Sequence, residues 1–128
     1  MKTFYLASGF DNRETAREWM GEIRNGTCPL FSDRMALSWD WTEPYAKGSK
    51  SDLLASYLYL DCQRRAVEDL HGVEAADVFI LLLPGGPGAH VELGMAIALK
   101  KEVYVIGTRE ELESSVMYSH PSVRQVVP

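Results

Sequence analysis

Apolar residues along this chain occur either in short continuous runs or at helical spacing, and the two patterns alternate. Thr3 to Ala7, Val78 to Leu83 and Val103 to Ile106 are runs of strand length. An uninterrupted apolar run of this length is typical of a strand that is covered on both faces. Further strands are predicted at Met35 to Asp40 and at Val123 to Val127.

The first helical pattern follows strand one and the turn Ser8-Gly9-Phe10. Asp11 or Asn12 can cap a helix that runs to about Asn25, and Gly26 ends it. Apolar residues recur at helical spacing in this segment and are predicted to face the sheet: Ala16, Trp19, Met20 and Ile23.

A second, longer helix is predicted after a polar and aromatic loop from Trp39 to Ser51. Ser49 and Asp52 have the spacing of a capping box, and Gly72 follows the last predicted residue, His71. The inward stripe of this helix is predicted to be Ala55, Leu58, Cys62, Ala66 and Leu70.

The third segment is a crossover unit. Pro84 to Gly88 interrupt the apolar run, and His90 to Lys100 form a helix that leads to the next strand. Thr108 and Glu111 make another capping box, which opens a short helix to about Val116. Strands and helices alternate throughout, which predicts an α/β three-layer sandwich of the flavodoxin or Rossmann type, with about five parallel strands flanked by helices.

Composition narrows the class of protein. The 128 residues suit a single domain, residues 1–128, with 46% apolar and 24% charged residues. A net charge of −5 argues against a nucleic-acid or anionic-membrane binder, and no apolar run approaches the length of a transmembrane helix. Cys28 and Cys62 lack metal-like spacing, so we expect reduced thiols, no zinc site and a cytoplasmic location.

Three residues are predicted at the carboxyl-end rim of the sheet, where ligands of such folds bind: Tyr5, Asp69 and Glu92. Glu92 is expected in the first turn of its helix, where the dipole stabilises an anion by about 0.3–1 kcal/mol. Each residue also has a structural interpretation. Glu92 can merely complement the dipole, Tyr5 can be a core residue, and Asp69 can be a solvated helix end.

Three segments together resemble the nucleoside 2-deoxyribosyltransferase family, which includes the 2'-deoxynucleoside 5'-phosphate N-hydrolases. The segments are Phe4 to Phe10, then Glu68-Asp69-Leu70 shortly before Asp77-Val78, and the glycine-preceded stretch Gly88 to Ala96. The resemblance implies that Glu92 attacks the sugar C1', that Asp69 binds and helps protonate the leaving base, and that Tyr5 positions the glutamate. Cleavage of an N-glycosidic bond needs one ionised carboxylate and one proton donor, which agrees with that assignment.

The resemblance also implies a substrate site. Its candidate residues are Ser8, Gly9, Phe10, Trp39, Trp41, Gly86, Gly88 and His90. Trp39, Trp41 and Tyr45 can stack on a base, although core packing explains Trp39 equally well. In the phosphate-preferring hydrolases, serines hold the 5'-phosphate at the positions matching Gly9 and Gly86, so the choice between nucleoside and nucleotide stays open. His90 is expected to be a neutral capping residue.

A second family shares part of the pattern. The stretch Pro84 to Glu92 is similar to the Pro-Gly-Gly-x-Gly-Thr-x-x-Glu motif of the cytokinin riboside 5'-monophosphate phosphoribohydrolases, with Ala89 in place of the threonine. Both families cut a base from a sugar. We therefore expect a cleaving or transferring enzyme that acts on a small-molecule nucleoside or nucleotide, without cofactor or metal, as a homodimer or larger oligomer. The alternative from another class is a non-catalytic nucleotide sensor.

Overall fold

A computed structural model describes residues 1–43 and 59–128, including all of their side chains except those of residues 59–61. Its central feature is a five-stranded sheet in the order β2-β1-β3-β4-β5, in which every neighbouring pair is parallel. The strands are β1 (Thr3–Ser8), β2 (Ala36–Leu37), β3 (Val78–Leu82), β4 (Glu102–Ile106) and β5 (Val123–Val126). This arrangement confirms the predicted α/β Rossmann-like fold.

The two central strands, β1 and β3, set the register of the sheet. They pair from Phe4 opposite Val78 to Ser8 opposite Leu82, and all five residues of β3 are buried. Full burial explains the continuous apolar run of β3. At the edge, β2 is only two residues long, shorter than the predicted Met35 to Asp40, because Trp39 and Asp40 already belong to the loop that leaves the sheet.

Helix α1 (Arg13–Asn25) covers one face of the sheet and follows a short 3-10 helix at Phe10–Asn12. Asn12 occupies the N-cap position without a capping side-chain bond, and Gly26 ends the helix in the left-handed region with φ 76°. The predicted inward residues Ala16, Met20 and Ile23 are buried, whereas Trp19 is only partly buried.

Helix α2 (Tyr59–Ala75) corrects two expectations. It continues through Gly72 instead of stopping there. The predicted inward stripe is also wrong where it is described: Cys62 and Ala66 are exposed, and Leu70 is 36% exposed. Among the described side chains of α2, residues 62–75, the buried apolar one is Val73 near the end of the helix, and Ala76 just beyond the helix is buried as well. The predicted capping box, together with Ala55 and Leu58, lies outside the described residues.

Helix α3 (Pro87–Ala98) begins three residues earlier than predicted. Proline is favoured at the first helical position because its missing N–H would have no partner there. Glu92 therefore lies in the second turn of α3, not in the first. The helix after β4 has its predicted capping box between Thr108 and Glu111, but α4 (Arg109–Leu112) is shorter than expected. A 3-10 helix at Val116–Ser119 follows it.

Two apolar clusters cover the two faces of the sheet. Phe4, Leu6 and Ile80 point toward α1, whereas Tyr5, Phe79 and their neighbours point toward α2 and α3. The alternation of side chains along β1 thus places Tyr5 on the face where Asp69 and Glu92 reside. No helix in the described ranges 1–43 and 59–128 is long and apolar enough to cross a membrane.

Candidate active site

A cleft of about 370 Å³ opens at the carboxyl ends of the strands, between α2 and the start of α3. It is lined by Tyr5, Ser8, Phe10, Trp41, Ala66, Asp69, Leu70, Gly86, Pro87, Gly88, Ala89, Val91 and Glu92. The cleft therefore brings together all three residues predicted to carry chemistry. Ala66 and Leu70, which were expected to face the core, form part of its wall.

Tyr5 and Glu92 are buried residues of the cleft that contact each other. The Tyr5 hydroxyl donates a hydrogen bond of 2.5 Å to Glu92 Oε2, across 87 residues of sequence. The Tyr5 ring is fully buried and stacks on Phe79, with 6.0 Å between centroids and 7° between the planes. Burial, reinforced by the negative charges of Glu92 and Asp69, raises the pKa of Tyr5 far above its usual value, so the phenol stays protonated and donates.

Glu92 is only 9% exposed, and its environment differs from the expected one. Burial raises the pKa of Glu92 to about 7, while the hydrogen bond from Tyr5 acts in the opposite direction. The prediction that the helix terminus stabilises the Glu92 anion is therefore wrong. Glu92 lies one turn further into α3, where burial favours the neutral form. The carboxyl group is poised to titrate near neutral pH, as perturbed groups of functional sites do.

Asp69 lies on α2 at the opposite wall and is half-buried. Desolvation raises the pKa of its carboxyl to about 6, partly offset by a hydrogen bond from Trp39 and by the charge of Arg65. Trp39 Nε1 donates that bond to Asp69 Oδ1 at 3.0 Å. Because α2 continues to Ala75, Asp69 is not in the last turn of the helix, and the interpretation of Asp69 as a solvated helix end is wrong.

The two tryptophans differ in where they lie. Trp41 lines the cleft, and its Nε1 donates to the Leu6 carbonyl oxygen at 2.7 Å, which fixes the indole beside β1. Trp39 does not line the cleft; it packs against the apolar cluster and contacts Asp69 instead. A stacking role stays a prediction for Trp41 only, and Tyr45 lies outside the described residues.

The first turn and the glycine loop meet beside the cleft. Ser8 lines it, but the Ser8 hydroxyl is engaged, donating to the Leu82 carbonyl at 2.8 Å and accepting from Asn12 Nδ2 at 2.9 Å. Gly9 lines a neighbouring hollow together with Phe10 and Gly86. A Cβ at Gly9 would lie 2.9 Å from the Pro84 carbonyl oxygen, so a serine cannot replace Gly9 without a backbone shift.

Gly86 and Gly88 line the cleft, whereas His90 stands behind the loop. His90 is the fourth residue of α3 and not its cap; Gly86 is the N-cap. His90 Nδ1 lies 2.8 Å from the Gly86 carbonyl oxygen, and His90 Nε2 lies 2.6 Å from the Tyr118 hydroxyl. A carbonyl only accepts, so His90 Nδ1 carries a proton and donates it to the Gly86 carbonyl oxygen, while Nε2 is hydrogen-bonded to the Tyr118 hydroxyl. The pair braces the loop.

Sequence reasoning missed two residues near the site, Gly72 and Tyr118. Gly72 allows α2 to approach β1, because a Cβ there would lie 2.6 Å from Trp39 Cβ and 3.0 Å from the Tyr5 ring. A glycine within a helical pattern is a signal of such an approach, although it was interpreted as a stop. Tyr118 left no signal in the pattern. Within the described residues no cluster of three potential metal ligands occurs.

The fold of this chain is similar to that of a solved structure. No family model matches the chain, and no curated protein matches it in sequence. Among solved structures, the chain is similar to the CMP N-glycosidase BcmB of Clostridium botulinum, with a TM-score of 0.53 and 17% sequence identity. The match covers 99% of this chain and 88% of that one. At this identity the similarity shows a shared fold.

Proposed function

We propose that the protein is an N-glycosidase that cleaves the bond between base and sugar of a nucleotide or nucleoside. The observation that carries the proposal is the Tyr5–Glu92 hydrogen bond at the floor of a cleft whose opposite wall holds Asp69. Two carboxyl groups with different environments facing one cavity are the arrangement that glycoside cleavage uses. The shared fold with a CMP N-glycosidase supports the same reaction class.

Glu92 is the nucleophile in this mechanism. Tyr5 occupies Oε2, which leaves Oε1 to attack C1' of the sugar as the C1'–N bond breaks. The electron pair of that bond goes to the base, and Asp69 supplies the proton that the base takes up. Water then attacks C1' of the glycosyl-enzyme while the ionised Asp69 takes up a proton from it, which releases the sugar with retained configuration and regenerates ionised Glu92 and protonated Asp69. A second base can replace water, which would make the reaction a transfer.

The two acid groups set a pH window for this chemistry. Glu92 must be ionised and Asp69 protonated, and their pKa values lie at about 7 and about 6. Activity then rises with pH while Glu92 loses its proton and falls as Asp69 loses its own. The maximum is expected between pH 6 and 7, where the productive form is a minority of the molecules.

The substrate class of the proposal is a small molecule with a pyrimidine or purine base on a ribose or deoxyribose. Trp41 and Phe10 offer aromatic surface in the cleft, and the backbone amides at Gly88 and Ala89 can bind a 5'-phosphate at the start of α3. We further propose that residues 1–128 act as one domain and assemble as a homodimer or larger oligomer.

The proposal is tested by measuring free-base release from ribo- and deoxyribonucleosides with and without a 5'-phosphate, at pH 6.5. Wild type and Glu92→Ala are compared, and Glu110→Ala on exposed α4 is the matched control. We expect release by wild type and the control and a loss of at least about 10³-fold in Glu92→Ala. A second base added to half the reactions separates transfer from hydrolysis. Substrate binding without release by wild type would refute the proposal and favour a sensor.

A further inference from the structure

We infer that Trp39 is a positioning residue that fixes which oxygen of Asp69 carries the catalytic proton. The inference rests on the proposed function, because it concerns the proton that Asp69 gives to the leaving base. It assigns to Trp39 a role other than base stacking, since the indole lies outside the cleft and its Nε1 donates a hydrogen bond to Asp69 Oδ1 at 3.0 Å.

The chemistry of the indole carries the argument. An indole Nε1–H donates and never accepts, at any pH at which the protein is folded. Asp69 Oδ1 is therefore the acceptor while the bond exists. A carbonyl oxygen accepts better than the hydroxyl oxygen of a carboxylic acid, so the bond favours the protonated form of Asp69 that carries its proton on Oδ2. A carboxyl group without this partner can carry the proton on either oxygen. Trp39 thus selects one protonated form out of two and keeps the same bond after the proton has left.

The position of Trp39 is held by packing that involves three elements. Its indole packs against the apolar cluster between the sheet and α2. Trp39 also lies so close to Gly72 that a Cβ added at Gly72 would be 2.6 Å from Trp39 Cβ. The preceding residue, Ser38, donates from Oγ to the Gly72 carbonyl oxygen at 2.8 Å. Gly72 is one helical turn beyond Asp69. The contact of Gly72 with Ser38 and Trp39 therefore fixes the positions of both Trp39 and Asp69 relative to each other.

Charged groups around Asp69 act in both directions but do not orient it. On α2, the charge of Arg65 lowers the pKa of Asp69 and the charge of Glu68 raises it. Across the cleft, Glu92 on α3 and the Tyr5 phenol on β1 face the same space. The indole is neutral, so it adds direction to the carboxyl group without the long-range field of a cation that would also act on Glu92.

The first test is a kinetic cycle with Trp39→Phe, Asp69→Asn and the double variant. Trp39→Phe keeps an aromatic ring and removes the donor. We expect a kcat about 10-fold to 100-fold lower, since misplacement of a catalytic group by a fraction of an ångström costs that much. In the Asp69→Asn background, Trp39→Phe should cost nothing further, because its effect passes through the Asp69 proton. Trp19→Phe, a partly buried tryptophan on α1, is the matched control and should retain wild-type kcat.

Losses that multiply in the double variant would overturn the inference, because general packing damage does not depend on Asp69. The pH profile gives a second criterion. Loss of the indole bond removes a contact that lowers the pKa of Asp69. Because that pKa is the lower of the two, it sets the midpoint of the acid limb of kcat/KM, and this limb should move to higher pH in Trp39→Phe. An unmoved limb would contradict the proposed role.

The second test needs no turnover. The carboxyl carbon of Asp69 and the indole Nε1–H of Trp39 can be followed by NMR between pH 4 and 9. Both should titrate with one midpoint, and Trp39→Phe should raise the Asp69 midpoint. If the two signals titrate independently, the inference fails. If they titrate together but wild type releases no base, Trp39 still controls Asp69 and the proposed function is what fails.

Discussion

The two carboxyl groups of the cleft face the same space but belong to different parts of the molecule. Glu92 is on α3, is buried to 9% exposure and is bonded to a tyrosine on the central strand. Asp69 is on α2, is half-buried and is bonded to a tryptophan from the loop after β2. Burial raises the pKa of both groups, to about 7 for Glu92 and to about 6 for Asp69.

In the proposed mechanism, this difference in surroundings lets two carboxyl groups take different roles. The partner of Glu92 binds Oε2 and leaves Oε1 for a contact with a molecule in the cleft that Glu92 lines, which suits an attacking atom. The partner of Asp69 takes up Oδ1 and leaves Oδ2 for a proton, which suits a donor at a more open wall. In both cases the partner is a donor that favours the ionised form, and in both cases burial is the larger effect.

Of the three variants that follow, the largest effect is expected from Asp69→Asn, which removes the proposed proton donor. Asp69→Asn keeps the shape of the side chain but cannot deliver a proton, so kcat/KM should fall by about 10²–10⁴-fold. The alkaline limb of the pH profile should vanish with it, because that limb is the deprotonation of Asp69. The measurement is free-base release from pH 5 to 9, with Glu74→Gln on the exposed face of α2 as control. A retained alkaline limb would show that another group supplies the proton.

A smaller effect is expected on the other wall from Tyr5→Phe. The variant preserves the ring that stacks on Phe79 and removes only the hydroxyl donor to Glu92. We expect kcat to fall by about 10-fold to 100-fold, somewhat less than the loss of an oxyanion donor. The midpoint of the alkaline limb should shift to higher pH, because it follows the higher of the two pKa values, that of Glu92, which the lost bond was lowering. Tyr104→Phe, on β4 and outside the cleft, is the control. An alkaline limb that stays in place would argue that Tyr5 only fills space.

The smallest expected effect is on stability, and it tests the burial that distinguishes Glu92 from Asp69. The pKa of Glu92 rises from 4.5 to about 7 on folding, so its favourable contribution is complete below pH 4.5 and is lost as pH rises through 7. Glu92→Gln does not titrate and should raise the free energy of unfolding at pH 8 by about 1–3 kcal/mol. At pH 4.5 the variant and wild type should be nearly equal. Urea denaturation at both pH values measures this, and Glu110→Gln should change neither. A gain of the same size at pH 4.5 and pH 8 would exclude titration of Glu92 as its cause.

Several features of this protein were determined by local sequence alone. The apolar runs predicted β1, β3 and β4, and the Thr108–Glu111 capping box is present as predicted. Gly26 ends α1 in the left-handed conformation that glycine tolerates. Strand–helix alternation predicted the parallel sheet. These features depend on side-chain spacing and on backbone preferences of neighbouring residues, which a sequence displays directly.

Other features were decided only by the tertiary structure. The sequence assigned Gly72 to a helix stop and Leu70 to the core, but Gly72 serves a close approach to Trp39 and Leu70 borders the cleft. The raised pKa of Glu92 results from its burial in the second turn of α3. The prediction that Glu92 lies in the first turn was wrong. Such properties depend on contacts between distant segments, here 87 residues apart for Tyr5 and Glu92. Burial and partner choice are set when the helices dock on the sheet, and residue spacing along the chain does not contain them.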